Sequence, residues 1–330
     1  MKKEHFDVLD GWRGLSILIV LAGHLLPLGP KAWHMNVAAG LFGMVIFFNL
    51  SGFLITHFLL NRPDILDFMI RRLFRILPLA WLYMGLVLYI DPVSSHAWWA
   101  HFLFYANYPP KPLITATDHL WSLCVEIHFY LGIALLAGIF KKRGLMMIPL
   151  LCLGFTLLRV FAGMHYSVIT HFRVDEILAG ATLALIHDNK LGSALRIFVA
   201  RGSAAVLLVL LLLASHPDSG FIQYLRPYFA ALLVGSTLFN RESMLVPALT
   251  NRVLAYIASI SYALYIIHPF LMTTWLGSGD LLQKYAKRPL LLTVLFVSAH
   301  VSTFYYEKRW MEMGRWLSEK LHMRIRYEYK

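Results

Sequence analysis

The chain has 330 residues, of which 58% are hydrophobic, and its mean hydropathy is +0.62. Soluble domains are roughly 45–50% apolar, so this composition excludes an ordinary water-soluble globular protein. The formal net charge of +12 does not indicate nucleic-acid binding, because the basic residues lie between apolar runs and not in one patch. The composition therefore predicts an all-α protein that crosses a membrane several times.

Ten apolar segments are long enough, some only just, to cross a bilayer. They lie at approximately 12–28, 37–60, 76–91, 119–140, 145–163, 172–188, 202–216, 225–240, 252–273 and 288–306. Most basic residues, including Lys2, Lys3 and Lys330, fall on the side that carries both termini, so the positive-inside bias places both termini in the cytoplasm. We predict one polytopic membrane domain over 1–330, a basic cytoplasmic tail at 307–330 and no separate soluble domain.

The first segment carries Arg13 and His24, eleven residues apart. Eleven helical steps of about 100° make three turns plus about 20°, so both side chains share one face. Ionisable groups are costly inside a membrane, and each is a candidate functional residue. The alternative is that His24 only caps the end of its helix.

The second segment contains FFNLSGFLI at 47–55, in which Asn49, Ser51 and Gly52 interrupt an apolar run. Small residues favour close packing between membrane helices. The alternative is a thinned helix that lines a cavity, with Ser51 in the lining.

The sequence RRLFRILP at 71–78 is expected on the cytoplasmic side, between the second and third segments. Arg71 and Arg75 are one helical turn apart with Arg72 beside them, and Pro78 is expected to end a helix or begin the next. Three arginines and no lysine favour bidentate phosphate binding. The alternative is that they only follow the positive-inside bias.

The fourth segment, DHLWSLCVEIHFYL at 118–131, has the clearest polar stripe. Its members share one helix face, and they are His119, Ser122, Glu126 and Tyr130. Because such a stripe cannot face lipid, we expect it to line a pocket together with Trp121, where Glu126 can hold or relay a proton. The alternative is a structural salt bridge from Glu126 to Arg13, Arg159 or Arg173.

A similar face carries Ser261, Tyr265 and His268 in ISYALYIIHP at 260–269. Tyr265 and His268 are expected to line the pocket, with a role as interfacial membrane anchors as the alternative. Arg173 and Asp175, at the start of the sixth segment, are expected to form an ion pair. The two cysteines, Cys124 and Cys152, are not expected to form a disulfide.

Five motifs in this order resemble those of the membrane-bound acyltransferase-3 family of O-acyltransferases. They are the Arg13 to His24 spacing, FFNLSGFLI, RRLFRILP, WSLCVEIHFYL and SYALYIIHP. The resemblance implies transfer of an acyl group, foremost acetyl, from cytoplasmic acyl-CoA to a hydroxyl of a carbohydrate or lipid-linked glycan in the bacterial cytoplasmic (inner) membrane. It implies that His24 is the essential histidine, Arg13 its partner and Glu126 the motif's acid. Departures from the family pattern are Val45, Ile127 and His128.

Acyl transfer needs a base for the hydroxyl proton and donors for the developing oxyanion. We expect His24 to be the base and Glu126 to orient it. Arg13, Arg71, Arg72 and Arg75 are expected to bind the donor. We expect no metal cofactor, and membrane lipid but no nucleic acid as a further partner. The alternatives from other classes are a polytopic membrane transporter and a non-catalytic scaffold.

Overall fold

The computed structural model describes residues 6–328, and these divide into two compact units. The first unit comprises residues 6–61 and 142–261, and the second comprises 62–141 and the chain from Tyr262 onward. Regular structure in the described range is entirely helical, which confirms the all-α prediction. The predictions that rest on Lys2, Lys3 and Lys330 lie outside the described residues.

Between residues 6 and 328, fifteen α-helices follow one another. They are α1 (Asp7–Leu25), α2 (Met35–Asn61), α3 (Ile65–Ile90), α4 (Ser95–Phe102), α5 (Trp121–Leu145), α6 (Ile148–Phe161), α7 (Asp175–His187), α8 (Ser193–Ala200), α9 (Ala204–Ser215), α10 (Arg226–Phe239), α11 (Val246–Leu249), α12 (Arg252–Thr273), α13 (Leu281–Ala286), α14 (Arg288–Val301) and α15 (Lys308–Glu328). A π-helical segment, Ser302–Glu307, joins α14 to α15.

The prediction of ten spans is not confirmed. Within the described residues, six helical stretches are long and apolar enough to cross a membrane, or seven if α8 and α9, bent by 85°, count as one. The predicted fifth to eighth segments correspond to α6, α7, α9 and α10, which have only 12–14 residues each. Fourteen residues span about 21 Å, which is less than the roughly 30 Å hydrocarbon core. The cytoplasmic location of the termini stays a prediction.

The motif at 71–78 lies inside α3 and not in the connection before it. The helix begins at Ile65, because the Asp64 side chain caps it by accepting a hydrogen bond of 2.9 Å from the backbone of Asp67. The prediction that Pro78 ends or begins a helix is therefore wrong.

Two tyrosines bond the backbone of α3 next to Pro78. The Tyr262 hydroxyl donates to the carbonyl of Ile76 at 2.6 Å, and that of Tyr306 donates to the carbonyl of Pro78 at 3.3 Å. Proline is tolerated within membrane helices where neighbouring groups bond the backbone near it. Only tertiary structure supplies these two donors.

In the first unit, α2 and α7 approach closely at small residues. A Cβ added to Gly52 would lie 1.9 Å from the carbonyl oxygen of Ile177, and one added to Gly180 would lie 1.9 Å from that of Asn49. Asn49 also donates a 3.0 Å hydrogen bond to the carbonyl of Glu176. The close-packing interpretation of FFNLSGFLI is therefore confirmed for this helix pair.

In the second unit, α15 packs along α3. The Ser318 hydroxyl donates to the Asp67 carboxylate at 2.5 Å, His322 contacts Asp64, and a Cβ at Gly314 would lie 2.7 Å from Phe74. Within the predicted tail, α15 is thus helical over Lys308–Glu328 and packs against α3, and the cytoplasmic location of the tail stays a prediction.

Candidate functional site

The first unit holds the predicted catalytic histidine and its arginine. Arg13 lies in the second turn of α1, and His24 lies in its last turn with an exposed side chain. His24 is therefore at the end of the helix, where the capping alternative put it. The same helix is attached to α10, since the Trp12 indole donates a buried 2.8 Å hydrogen bond to Thr237. An exposed imidazole on a rigid helix is accessible to a substrate.

Ser51 is buried on α2, one residue from the close contact at Gly52. Its expected role in lining a pocket stays a prediction.

The first unit also holds a buried ion-pair network on α6, α7 and α10. Arg159 pairs with Asp175 at 2.5 Å, whereas Glu176 pairs with Arg173 at 3.2 Å and with Arg226 at 3.0 Å. No side chain of the five is more than 1% exposed. Arg173 pairs with Glu176, three residues along the chain, and lies within electrostatic range of Asp175, so the predicted pair between Arg173 and Asp175 stays a prediction. The network also includes Arg159 and Arg173, two of the arginines considered as salt-bridge partners of Glu126.

In the second unit, Glu126 accepts a hydrogen bond from the Tyr130 hydroxyl. Arg72, one of the predicted arginines, lies within electrostatic range of both Tyr130 and Glu126. Glu126 and Tyr130 are buried and one helical turn apart on α5, as their spacing predicted. Phe68 packs edge-on against the Tyr130 ring at 5.9 Å and holds it in place. The structure thus joins two of the predicted motifs.

A second carboxylate, Glu307, extends this centre and was missed in the sequence. It is buried, and it accepts hydrogen bonds from Ser302 at 2.9 Å and Thr303 at 3.1 Å. Arg75 lies within electrostatic range of Glu307, and the Tyr262 hydroxyl within range of both carboxylates. The four-residue spacing from Thr303 to Glu307, at the end of the tenth segment, is the signal that could have found it.

The three arginines of the motif therefore differ in their surroundings. Arg71 pairs with Asp67 one turn earlier, and its side chain is 39% exposed. Arg72 lies within electrostatic range of Tyr130 and Glu126, whereas Arg75 lies within electrostatic range of Glu307. Arg71 thus differs from the other two in forming a partly exposed salt bridge at the start of α3.

A third cluster joins the beginning of α5 to α12. The Tyr265 and Ser122 hydroxyls both donate to the carbonyl of His119, at 2.5 Å and 3.2 Å, and the two hydroxyl oxygens lie 2.6 Å apart. The His119 ring contacts the rings of Tyr265 at 5.2 Å and His268 at 5.5 Å. His268 is completely buried, which argues against the membrane-anchor alternative, and Trp121 is buried as well.

The structure also contains a largely apolar cavity of about 240 Å³ in the first unit. It lies among α6, α7, α8 and α10, and its few polar lining groups include Cys152, Thr182 and Tyr228. None of the predicted site residues lines it. Cys152 is a buried free thiol, as is Cys124, in agreement with the expectation of no disulfide.

Comparison with known proteins gives a consistent result. A family model described as "Acyltransferase domain" matches residues 6–307. The O-acetyltransferase OatA of Staphylococcus aureus is 26% identical over 306 residues, covering 79% of this chain and 49% of that protein. The peptidoglycan O-acetyltransferase OatA of Listeria monocytogenes is 24% identical over 359 residues, covering 92% of this chain and 56% of that protein.

The chain spans about half the length of these curated relatives. No solved structure matches it.

Proposed function

Because this chain belongs to the acyltransferase-3 family, we propose that it is an integral-membrane O-acyltransferase that transfers an acyl group, foremost acetyl, to a hydroxyl of a carbohydrate or lipid-linked glycan. The donor is acyl-CoA, presented from the cytoplasmic side of the bacterial cytoplasmic membrane. The relatives named for peptidoglycan support a glycan acceptor. The transporter alternative is not favoured, because the matching family model is an acyltransferase domain.

The observation that carries the proposal is the buried Glu126 carboxylate, which accepts a hydrogen bond from Tyr130 and has Arg72 within electrostatic range. Because Tyr130 already donates its one proton to Glu126, the guanidinium of Arg72 is the charged donor group held near this carboxylate. Such donors stabilise an oxyanion without reorganising at the moment of reaction. A purely structural acid in a membrane helix needs only a salt-bridge partner. Glu126 instead bonds the Tyr130 phenol, with Arg72 nearby.

In the proposed reaction the acceptor hydroxyl attacks the thioester carbonyl. The new C–O bond forms, the C–S bond breaks, the hydroxyl proton passes to His24, and the coenzyme A leaves as a thiol or thiolate. The exposed position of His24 supports this role, since a general base must reach the proton it takes. We propose that Arg13 supports the base electrostatically. In the second unit, we propose that Glu126 can hold or relay a proton and that Trp121, Ser122, Tyr265 and His268 line a substrate pocket.

We propose different roles in donor binding for the three arginines of the RRLFRILP motif. Arg71 has the accessible guanidinium and can exchange its exposed pair with Asp67 for a phosphate. Arg72 and Arg75 lie beside Glu126 and Glu307, so we propose that they serve the reacting groups more than the phosphates.

The test is transfer of radiolabelled acetyl from acetyl-CoA to glycan in membranes that contain the full chain. His24→Ala should lower turnover by about 10²–10⁴-fold, since a general base contributes that much. His34→Ala is the control, because His34 is an exposed histidine in the segment after α1. Near-normal turnover of His24→Ala at equal expression would overturn the assignment of the base. Absence of an alkali-labile ester in the wild type would overturn the reaction.

A further inference from the structure

We propose that His57, His187 and Asp188 form a binding site for a divalent transition-metal ion, foremost Zn²⁺. The three residues belong to the first unit, where α2 and α7 end. One ligand atom from each lies within 4.8 Å of the other two. About 130 residues separate His57 from the other two, so no short sequence motif marks the site, and the proposal departs from the prediction of no metal cofactor.

The ligand atoms already converge on one point. The Nδ1 atoms of His57 and His187 each lie 2.9 Å from the same carboxylate oxygen, Oδ1 of Asp188. Ligand atoms around a tetrahedral zinc ion lie about 3.3 Å apart, given metal–ligand bonds of about 2.0–2.1 Å. A small outward movement of the three side chains therefore makes room for the ion. The ion then takes the place of the two Nδ1 protons that hydrogen-bond His57 and His187 to the Asp188 carboxylate.

Surrounding groups orient these ligands in the way that metal sites require. The Asn61 amide donates to the other carboxylate oxygen, Oδ2 of Asp188, at 3.1 Å, which leaves Oδ1 directed at the rings. Phe53 stacks on the His57 ring with centroids 5.9 Å apart, and Phe239 stacks on the His187 ring at the same distance. Groups of this kind set ring orientation and metal affinity.

The burial of the three side chains suits an exchangeable ion. Their exposed fractions are 17% for His57, 15% for His187 and 12% for Asp188, so the site is shielded but open to an entering ion. Two imidazoles and one carboxylate neutralise only one of the two charges of the ion. Three protein ligands also leave a fourth position for water, as in zinc sites that keep an open position.

A second group of the same composition, also in the first unit, provides a matched control. Asp218 lies 3.0 Å from Nδ1 of His34 but 3.9 Å from Nδ1 of His216. The exposed fractions of its side chains are 62% for Asp218, 47% for His34 and 33% for His216. This group has the same ligand types without the convergent geometry or the aromatic walls.

The experiment uses the full chain, purified in detergent without a polyhistidine tag and stripped of metal with a chelator. Equilibrium dialysis against Zn²⁺, read by elemental analysis, should show one ion per chain. The Co²⁺ form should show visible absorption bands of a four- or five-coordinate site. His34→Ala/His216→Ala should bind the ion as the wild type does.

His57→Ala/His187→Ala should lose the stoichiometric ion and the Co²⁺ bands. Asn61→Ala retains all three ligands and should weaken binding by about 10-fold, so it tests the site even if the double variant fails to fold. If the wild-type protein showed no saturable Zn²⁺ binding, the proposal would be overturned. The three residues would then form a hydrogen-bonded triad and no metal site. Unchanged binding in a folded His57→Ala/His187→Ala variant would overturn it as well.

Discussion

The two units hold their buried carboxylates in different ways. In the first unit, Asp175 and Glu176 are held by arginine side chains, and all members of that network are at most 1% exposed. In the second unit, Glu126 and Glu307 accept hydrogen bonds from hydroxyl groups, with arginines beside them.

The difference indicates two purposes for similar residues. A direct pair with arginine keeps a carboxylate charged and ties together the helices that carry the partners. A carboxylate bonded to hydroxyl groups can accept or release a proton without breaking a salt bridge. We therefore assign the first network to structure and the Glu126 centre to chemistry, and each variant below separates stability from turnover.

The largest expected effect is on the stability of the first unit. Glu176→Ala leaves Arg173 and Arg226 buried without the carboxylate that pairs with both, and should lower the free energy of unfolding by about 3–5 kcal/mol. Thermal unfolding in detergent measures this loss. The control, Glu242→Ala, removes an exposed acid and should change stability by less than about 0.5 kcal/mol. A fully stable Glu176→Ala protein with reduced turnover would reverse our assignment of the two regions.

The next effect concerns the Glu126 centre. Glu126→Gln keeps an oxygen that can accept from Tyr130 but removes the charge, so turnover should fall by at least about 100-fold while the unfolding temperature changes little. Turnover is measured in the acetyl-transfer assay. Glu312→Gln, an exposed position on α15, should behave as wild type. Loss of stability without loss of specific turnover would make Glu126 a structural acid like Glu176.

A smaller effect distinguishes the motif arginines from one another. Arg71→Ala removes the accessible guanidinium and should raise the Michaelis constant for acetyl-CoA by about 10-fold with little change in turnover. Arg72→Ala should instead lower turnover, because Arg72 lies within electrostatic range of Tyr130 and Glu126. Steady-state kinetics with varied acetyl-CoA gives both constants. The same response from both variants would show that the arginines act as one phosphate clamp.

The smallest effect is a dependence of stability on pH in the second unit, at His101 in α4. Its ring bonds the Ala97 carbonyl at 2.7 Å and Thr117 at 2.8 Å, and burial lowers the pKa of His101 below its usual range. The unfolded chain therefore binds the proton first, so the stability is fully present above about pH 6.5 and declines as the pH falls below it.

Thermal unfolding between pH 7.5 and 5 measures this decline. His101→Gln should reduce the dependence on pH, whereas His96→Gln, an exposed position on the same helix, should keep the wild-type profile. Equal profiles for the wild type and His101→Gln would contradict the prediction.

Much of the local structure followed from periodicity and apolar length. The helical spacing on α5 correctly placed Glu126 and Tyr130 on one face, and the small residues around Gly52 correctly indicated a close helix contact. Sequence reasoning failed at Pro78, which lies inside α3. The hydroxyls of Tyr262 and Tyr306, which bond the backbone next to Pro78, lie far along the chain, and helical spacing cannot anticipate them.

The amino-acid sequence by itself determined that the chain is helical and apolar enough for a membrane, and it carried the motifs of the family. These properties depend on composition and on neighbours three or four residues apart, which any single helix contains. Only the tertiary structure decided that Arg159 pairs with Asp175, that Arg72 lies within electrostatic range of Glu126, and that His57 contacts Asp188. Pairing between side chains on different helices depends on how those helices pack, and helical periodicity carries no information about it.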